Sequence, residues 1–244
     1  MAPVYADHPF SLIPTPIFAK GKDAETDMFD EIASEMALVH NLLILGLNSI
    51  YLQAPHIKPA DEKPFCSHHA GEEAMFFPAV EKMAGVKGLM DANVDQHKTF
   101  HDGVDSLKAY AGAVVSGKEK YDGSRVTTLI DLFGNPMMQH LADEIPSILN
   151  LRQYGDKMAD LPKLFEEEAG QAMKELGMSG LVWCFANLNV HYENDLWPSF
   201  PPAPGPVKAL VRSVFWWIHA DSRKFGAVDR TGSLRHLYAV PASS

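Results

Sequence analysis

Histidine and glutamate residues recur in this sequence as pairs spaced four residues apart. The pairs are His68/Glu72, His97/His101 and His140/Glu144. Residues four apart in an α-helix lie on the same face, so each pair would present two side chains to the same neighbour. Imidazole nitrogens and carboxylate oxygens both bind transition metals, and a shared face of this kind can therefore form part of a metal site.

A further helical segment adds a single histidine. Residues 23–53 carry apolar side chains at helical spacing, and His40 falls on that apolar stripe. Such a histidine, taken alone, is more often a core residue than a ligand. Four helices that each place imidazole or carboxylate in the core together favour a ligand role. Burial of unpaired polar groups costs several kcal/mol, and a bound cation removes that cost.

The donor set indicates which metals would fit. Five imidazoles and two carboxylates suit iron, manganese or zinc, whereas calcium and magnesium prefer oxygen ligands alone. A single tetrahedral zinc takes four ligands, which is fewer than the set provides. Two metal ions bridged by the two glutamates would use the whole set.

Periodicity and helix-ending residues predict the elements that position these side chains. Apolar spacing, with proline or glycine at the ends, predicts helices at about residues 23–53, 64–83, 91 onward and 123–151. The third helix is expected to turn His97, His101, Val104 and Lys108 to one side. Pro136 and Pro146 are expected to interrupt and bend the fourth. Short connections between four helices predict an all-α, antiparallel, up-and-down bundle.

The rest of the chain divides around this bundle. Residues 1–25 are proline-rich and are predicted to form an irregular arm, residues 26–154 the metal-binding bundle, and residues 155–244 a mainly helical extension that packs on it. His191, Glu193 and Asp195 could form an accessory metal site in the extension, although no helical pairing repeats there.

Composition excludes several classes of function. Acidic residues outnumber basic ones by 31 to 21, so the chain lacks the basic surface that nucleic acid requires. Two cysteines do not make a disulfide framework, which together with the absence of a secretory signal pattern predicts a cytoplasmic protein. The apolar stretch at residues 207–220 is short and contains two basic residues, so no membrane span is expected there.

The order of these motifs resembles a known family. A histidine, then His-x-x-x-Glu, His-x-x-x-His and His-x-x-x-Glu on successive helices, is similar to hemerythrin and the hemerythrin-like (HHE cation-binding) proteins. The resemblance covers about residues 26 to 154, and the stretch HHAGEEAMFFP is especially similar to the HHE pattern.

The resemblance implies a diiron centre and assigns its ligands. It implies that one iron is held by His97, His101 and His140, and the other by His40 and His68, with Glu72 and Glu144 as bridges. Hemerythrin has an aspartate five residues beyond its last histidine, where this chain has Ile145. The bridging role therefore passes to Glu144, as in many HHE relatives.

The function expected from this centre is that of a non-haem diiron protein that binds or reduces dioxygen or peroxide. Two alternatives remain open at this point. One is an iron sensor or buffer without turnover, and the other is a diiron oxygenase or oxidase that acts on a small organic substrate. A rotation of the second helix by one residue would exchange His68 and Glu72 for His69 and Glu73.

The two faces of that helix can be separated by matched substitutions. We expect His68→Ala to lose bound metal, because the resemblance makes His68 a ligand, and His69→Ala to keep the wild-type metal content. Elemental analysis of the two purified variants measures this. The opposite order would mean that the helix is rotated and that His69 faces the metal.

Overall fold

The computed structural model describes residues 3–21, 23–62, 91–197, 199–201, 205–210, 212–213, 217 and 220–241. Within these ranges the chain is helical and has no strand, apart from an isolated antiparallel bridge between Val228 and Leu234. The described part of the protein is therefore all-α. The predicted helix at residues 64–83, which contains His68 and Glu72, lies outside it.

Five helices organise the described chain. They are α1 (Pro16–Lys20), α2 (Met28–Gln53), α3 (Asp91–Val115), α4 (Gly123–Asn150) and α5 (Leu161–Asn187). Short 3₁₀ segments follow at Ala54–His56, Pro59–Asp61 and Leu151–Met158, and short helical turns at Tyr192–Asp195, Gly205–Leu210 and Ala220–Arg223. Helices α2, α3 and α4 lie where periodicity predicts them.

Helix α2 begins at a capping box. The Asp27 side chain accepts hydrogen bonds from the backbone N–H groups of Phe29 and Asp30, and the Asp30 carboxylate accepts from the N–H of Asp27. These contacts satisfy donors that the first turn of a helix leaves without partners. Arg152 pairs with Asp27 at 2.7 Å, which ties this end of α2 to the segment after α4.

Helix α4 continues through both of its prolines. Asp122 caps its start by accepting from the N–H groups of Ser124 and Arg125, and the helix then runs to Asn150 with Pro136 and Pro146 inside it. The expected interruption does not occur. Each proline removes one helical hydrogen bond, and packing of α4 against both α2 and α3 compensates for that loss.

Helices α2 and α4 are antiparallel, and two apolar clusters show this. The start of α2 packs with the end of α4 in a cluster that includes Phe29, Ala37 and Ile148. The end of α2 packs with the start of α4 in a cluster that includes Ile50 and Ile130. Between them, α2 and α4 each pass through a layer that contains polar side chains.

Most of α2 is buried, and one face of it binds the N-terminal arm through polar side chains. Asn48 accepts from the N–H of Phe10 at 2.9 Å and donates to the carbonyl of Ala6 at 2.9 Å. Asn41, seven residues earlier, accepts from the N–H of Ile13 at 2.7 Å and donates to its carbonyl at 2.9 Å. The irregular arm obtains from α2 the hydrogen bonds that it does not make to itself.

The C-terminal segment binds polar side chains in the last turns of α2 in the same way. The Phe225 carbonyl accepts hydrogen bonds from Ser49 and from Gln53, the latter at 2.8 Å. The N–H of Ala239 donates to the Gln53 side chain at 3.1 Å, and the N–H of Leu237 donates to the Val4 carbonyl at 3.0 Å. Arm and C-terminal segment thus meet on α2.

One helical stretch of the described residues, Met28–His56, has the length and mean hydropathy, 1.3, of a helix able to cross a membrane. Its apolar window is 67% buried inside the protein. The core helix of a globular domain passes the same test, and burial of this extent is typical of such a helix.

Replacement of Asn48 tests the polar contacts of the arm. We expect Asn48→Ala to lower the free energy of unfolding by about 3 kcal/mol, because it leaves buried N–H and carbonyl groups of the arm without partners. Urea unfolding measures the change. Asn150→Ala, at an exposed position at the end of α4, is the matched control and should change stability little; equal losses in the two variants would contradict the role given to Asn48.

Candidate metal centre

The polar layer between the two apolar clusters contains three of the predicted ligands. His40 of α2 is 4% exposed, and His140 and Glu144 of α4 are 3% and 5% exposed. Ala37 and Leu47 of α2 belong to the clusters on either side of this layer, as do Phe133 and Ile148 of α4. The three polar side chains are therefore enclosed by apolar packing above and below.

The donor atoms of the layer contact one another. His40 Nε2 lies 3.1 Å from Glu144 Oε2, and His140 Nε2 lies 3.8 Å from the same oxygen. His97 of α3 joins the group, with its Nε2 atom 2.9 Å from Nε2 of His140. Three helices thus bring four of the predicted ligands together.

The other ring nitrogens of the two buried histidines face acceptors. His40 Nδ1 lies 2.9 Å from the carbonyl oxygen of Leu141. His140 Nδ1 lies 3.1 Å from the side-chain oxygen of Gln96. A ring nitrogen beside a carbonyl oxygen must carry hydrogen, so Nδ1 carries hydrogen in both residues. Nε2 is the atom that faces the other predicted metal ligands.

Burial and neighbouring charges shift the pKa values of this group. Burial lowers the pKa of His140 to about 4, despite the opposite effect of Glu144. For Glu144, burial acts to raise the pKa, but the hydrogen bond from His40 and the charges of the three histidines bring it below its ordinary value. For His140 and Glu144 these shifts favour the neutral imidazole and the ionised carboxylate, which are the forms that bind metals.

His101 lies elsewhere on α3. Its side chain is 53% exposed, and its Nδ1 atom lies 3.4 Å from Asp105 Oδ2. The buried face of α3 instead carries Phe100, Tyr110 and Val114. The predicted stripe of His97, His101, Val104 and Lys108 is therefore wrong for His101, whereas Val104 does pack against the apolar cluster. Apolar side chains, which gain more from burial, turn toward α4 in place of His101. A ligand role for His101 stays a prediction.

The described donors can be compared with the geometry of a metal site. Two ligands bound to one cation at about 2.1 Å lie roughly 3.0 to 3.4 Å apart, and the contacts at 2.9 Å and 3.1 Å are close to that spacing. Among the described residues, however, no group of three or more His, Cys, Asp or Glu side chains is arranged to hold a metal ion. Two pairs of these ligands therefore have close to the spacing that binding to one cation requires. His68 and Glu72, which would complete the predicted set, lie outside the described residues.

The three extension residues considered as an accessory metal site make other contacts. Glu193 accepts hydrogen bonds from the N–H of Thr15 at 2.8 Å and from Trp197 Nε1 at 2.8 Å. His191 pairs with Asp195. Glu193, Asn194 and Asp195 have positive φ angles, and the hydrogen bonds of Glu193 hold this left-handed turn against the arm.

A glycine sets how closely α3 and α4 approach. A Cβ atom on Gly103 would lie 2.5 Å from Cβ of Phe133, which is closer than such atoms can come. The absence of a side chain at Gly103 therefore allows α3 and α4 to approach closely at this point, which lies nearly two helical turns after His97.

Gln96 contacts His140 directly, although no sequence pattern singled it out. Gln96 precedes His97 on α3, and its amide nitrogen donates to Asp143 Oδ2 at 2.9 Å. The sequence feature that could have indicated it is the presence of polar residues immediately before predicted ligands. Gln96 precedes His97, Gln139 precedes His140 and Asp143 precedes Glu144.

The stability of the metal-free protein should depend on pH through His140. Its folded-state pKa of about 4 lies below the ordinary value of about 6.5, so the unfolded chain binds the proton more readily. Stability is therefore full above about pH 6.5 and falls by up to about 3 kcal/mol as the pH drops toward 4. Urea unfolding at several pH values, with chelator present, measures this loss.

His140→Asn should flatten this part of the pH profile, whatever its effect on absolute stability. His8→Asn replaces a histidine that is exposed beside Asp7 and should leave the slope as in the wild type. A wild-type slope in His140→Asn would mean that another group binds the proton.

The chain is similar over nearly its whole length to a known protein. The chain is 29% identical over 247 residues to the dimeric xanthone biosynthesis cluster protein R11 of Cryptosporiopsis sp. (strain 8999), with 96% of this chain and 92% of that protein covered. The alignment therefore spans the arm, the helices and the C-terminal extension together. No protein-family model and no solved structure matches the chain.

Proposed function

We propose that this protein is a non-haem diiron protein that binds or reduces dioxygen or peroxide at a His/Glu centre inside a helical bundle. The observation that carries the proposal is the buried layer of His40, His140 and Glu144, which His97 joins from a third helix. The proposal also takes the predicted helix at residues 64–83 as the fourth helix of an up-and-down bundle, with His68, Glu72 and His101 among the ligands.

The chain's own residues favour a cation in this layer. Glu144 is an acidic side chain in an apolar environment, and without metal its charge is balanced by hydrogen bonding to His40. A buried charge of this kind is costly unless it is paired or coordinates a metal. His40 and His140 both direct Nε2 into the layer, since their Nδ1 atoms are occupied by Leu141 and Gln96.

When bound, iron would supply electrons to dioxygen or peroxide at this position. The apolar clusters on both sides limit the access of water to the layer, and the ring of Phe100, centred 5.5 Å from that of His140, covers another side. Such a low-polarity environment strengthens the electrostatic interactions of Glu144 with whatever cation it faces.

A second candidate is a diiron oxygenase or oxidase that acts on a small organic substrate. It is favoured by the relative that is named for a dimeric xanthone biosynthesis cluster and that aligns over 96% of the chain. A cleft of about 640 Å³ lies beyond the end of α2, lined by residues that include Pro55, Tyr121 and Arg125. His40 precedes Pro55 by four helical turns, or roughly 20 Å, so this cleft is not adjacent to the layer.

Metal content and the optical spectrum of aerobically purified protein test the proposal. From a seven-ligand set we expect about two irons per chain and a lower melting temperature after chelation, because the metal binds the folded state. Protein that contains one zinc and no iron, although it was expressed with iron available, would contradict the proposal.

Matched variants then locate the metal. Glu144→Gln removes a buried charge with little change in shape, and we expect it to lose most of the bound iron. His191→Asn replaces an exposed histidine that is also paired with a carboxylate, and it should retain the wild-type iron content. Equal iron content in the two variants would place the metal away from Glu144.

A further inference from the structure

The amide of Gln96 has a defined orientation. Its nitrogen lies 2.9 Å from Asp143 Oδ2 and its oxygen 3.1 Å from His140 Nδ1. The oxygen and nitrogen of an amide are assigned from their hydrogen-bond partners. An ionised carboxylate only accepts hydrogen bonds, so Asp143 requires the nitrogen of Gln96 on its side and thereby turns the oxygen toward His140.

The tautomer of His140 follows from this orientation. The Gln96 oxygen can only accept, so Nδ1 of a neutral His140 carries the hydrogen and Nε2 keeps its lone pair. His97 Nε2, 2.9 Å away, donates to that lone pair in the metal-free protein. A metal ion needs the same lone pair, and the hydrogen bond to the second ring nitrogen decides which nitrogen offers it.

We infer that Gln96 is a positioning residue that holds His140 in the tautomer able to bind metal through Nε2, with Asp143 setting the orientation of the Gln96 amide. The role toward metal rests on the proposed diiron function, whereas the tautomer itself is a property of the metal-free protein. Gln96 acts through His140, because its oxygen contacts the Nδ1 atom of that ring and not Nε2.

Gln139 offers a matched control for Gln96. Its amide nitrogen donates to the other oxygen of Asp143, Oδ1, at 2.8 Å, and its side chain is exposed. Gln96→Met and Gln139→Met each remove one amide donor from the same carboxylate at similar side-chain length. Only the first change removes the acceptor of His140 Nδ1.

The test has two readouts. Side-chain ¹⁵N chemical shifts of His140 in metal-free protein report the tautomer, and anaerobic Fe(II) titration reports affinity. We expect wild type and Gln139→Met to show hydrogen on Nδ1. Gln96→Met should show a mixture of tautomers and bind Fe(II) about 10- to 100-fold more weakly. Asp143→Asn, which frees the Gln96 amide to turn over, should shift the tautomer in the same direction.

The outcomes separate this inference from the proposed function. Hydrogen on Nε2 of His140 in the wild type, or an unchanged His140 signal in both Gln96→Met and Asp143→Asn, would overturn the inference. Wild-type protein with hydrogen on Nδ1 that binds no Fe(II) would support the positioning of His140 and contradict the diiron function. Circular dichroism of each variant shows whether it retains the helical fold.

Discussion

Burial of α2 on most of its surface is the constraint on which the rest of the structure depends. Polar side chains on the buried surface of such a helix cannot reach water, so each one must bind another group inside the protein. Asn41 and Asn48 satisfy this requirement with the backbone of the N-terminal arm, and Ser49 and Gln53 with the C-terminal segment. The N-terminal arm and the C-terminal segment are thus held by polar residues of a helix that is largely buried.

The same constraint applies to His40, and here the solution involves other side chains. Its Nδ1 atom uses the Leu141 carbonyl and its Nε2 atom faces Glu144. Glu144 in turn lies near His140, which contacts His97 and Gln96. Burial of His40 in α2 thus requires a network of polar contacts that extends over three helices. Each residue in the network supplies a hydrogen-bond or charge partner to its neighbour and needs one in turn.

Much of this arrangement could be predicted from the sequence, because it depends on short-range patterns. The positions of α2, α3 and α4 follow from apolar periodicity, although α2 begins at Met28 and not at residue 23 as predicted. The inward positions of His40, His140 and Glu144 follow from the stripes to which they belong. The face of α3 could not be predicted in this way. Both His101 and Phe100 have the spacing from His97 that would place them on the same helical face. Packing of α3 against α4 decides that Phe100 is the buried one.

The contacts of Gln96 and of the chain's irregular segments could not be predicted for a related reason. Gln96 and Asp143 are separated by 47 residues and meet only because α3 and α4 pack at a particular rotation. The contact between Gln53 and Phe225 joins residues 172 apart. No local period contains such information, and a polar residue beside a predicted ligand is at most an indication of where to look.

The glycine at position 103 has a consequence for the dimensions of the polar layer. At that position α3 contributes no side chain, so its backbone packs directly against the Phe133 side chain of α4. The His97 and His140 nitrogens come within 2.9 Å at the same interface. A methyl group at position 103 would displace Phe133 or widen the gap between the helix axes. A hydrogen bond between ring nitrogens weakens sharply beyond about 3.2 Å, so the tolerance for such widening is only a few tenths of an ångström. The width of the polar layer is thus set by a residue that has no functional group and lies outside the layer.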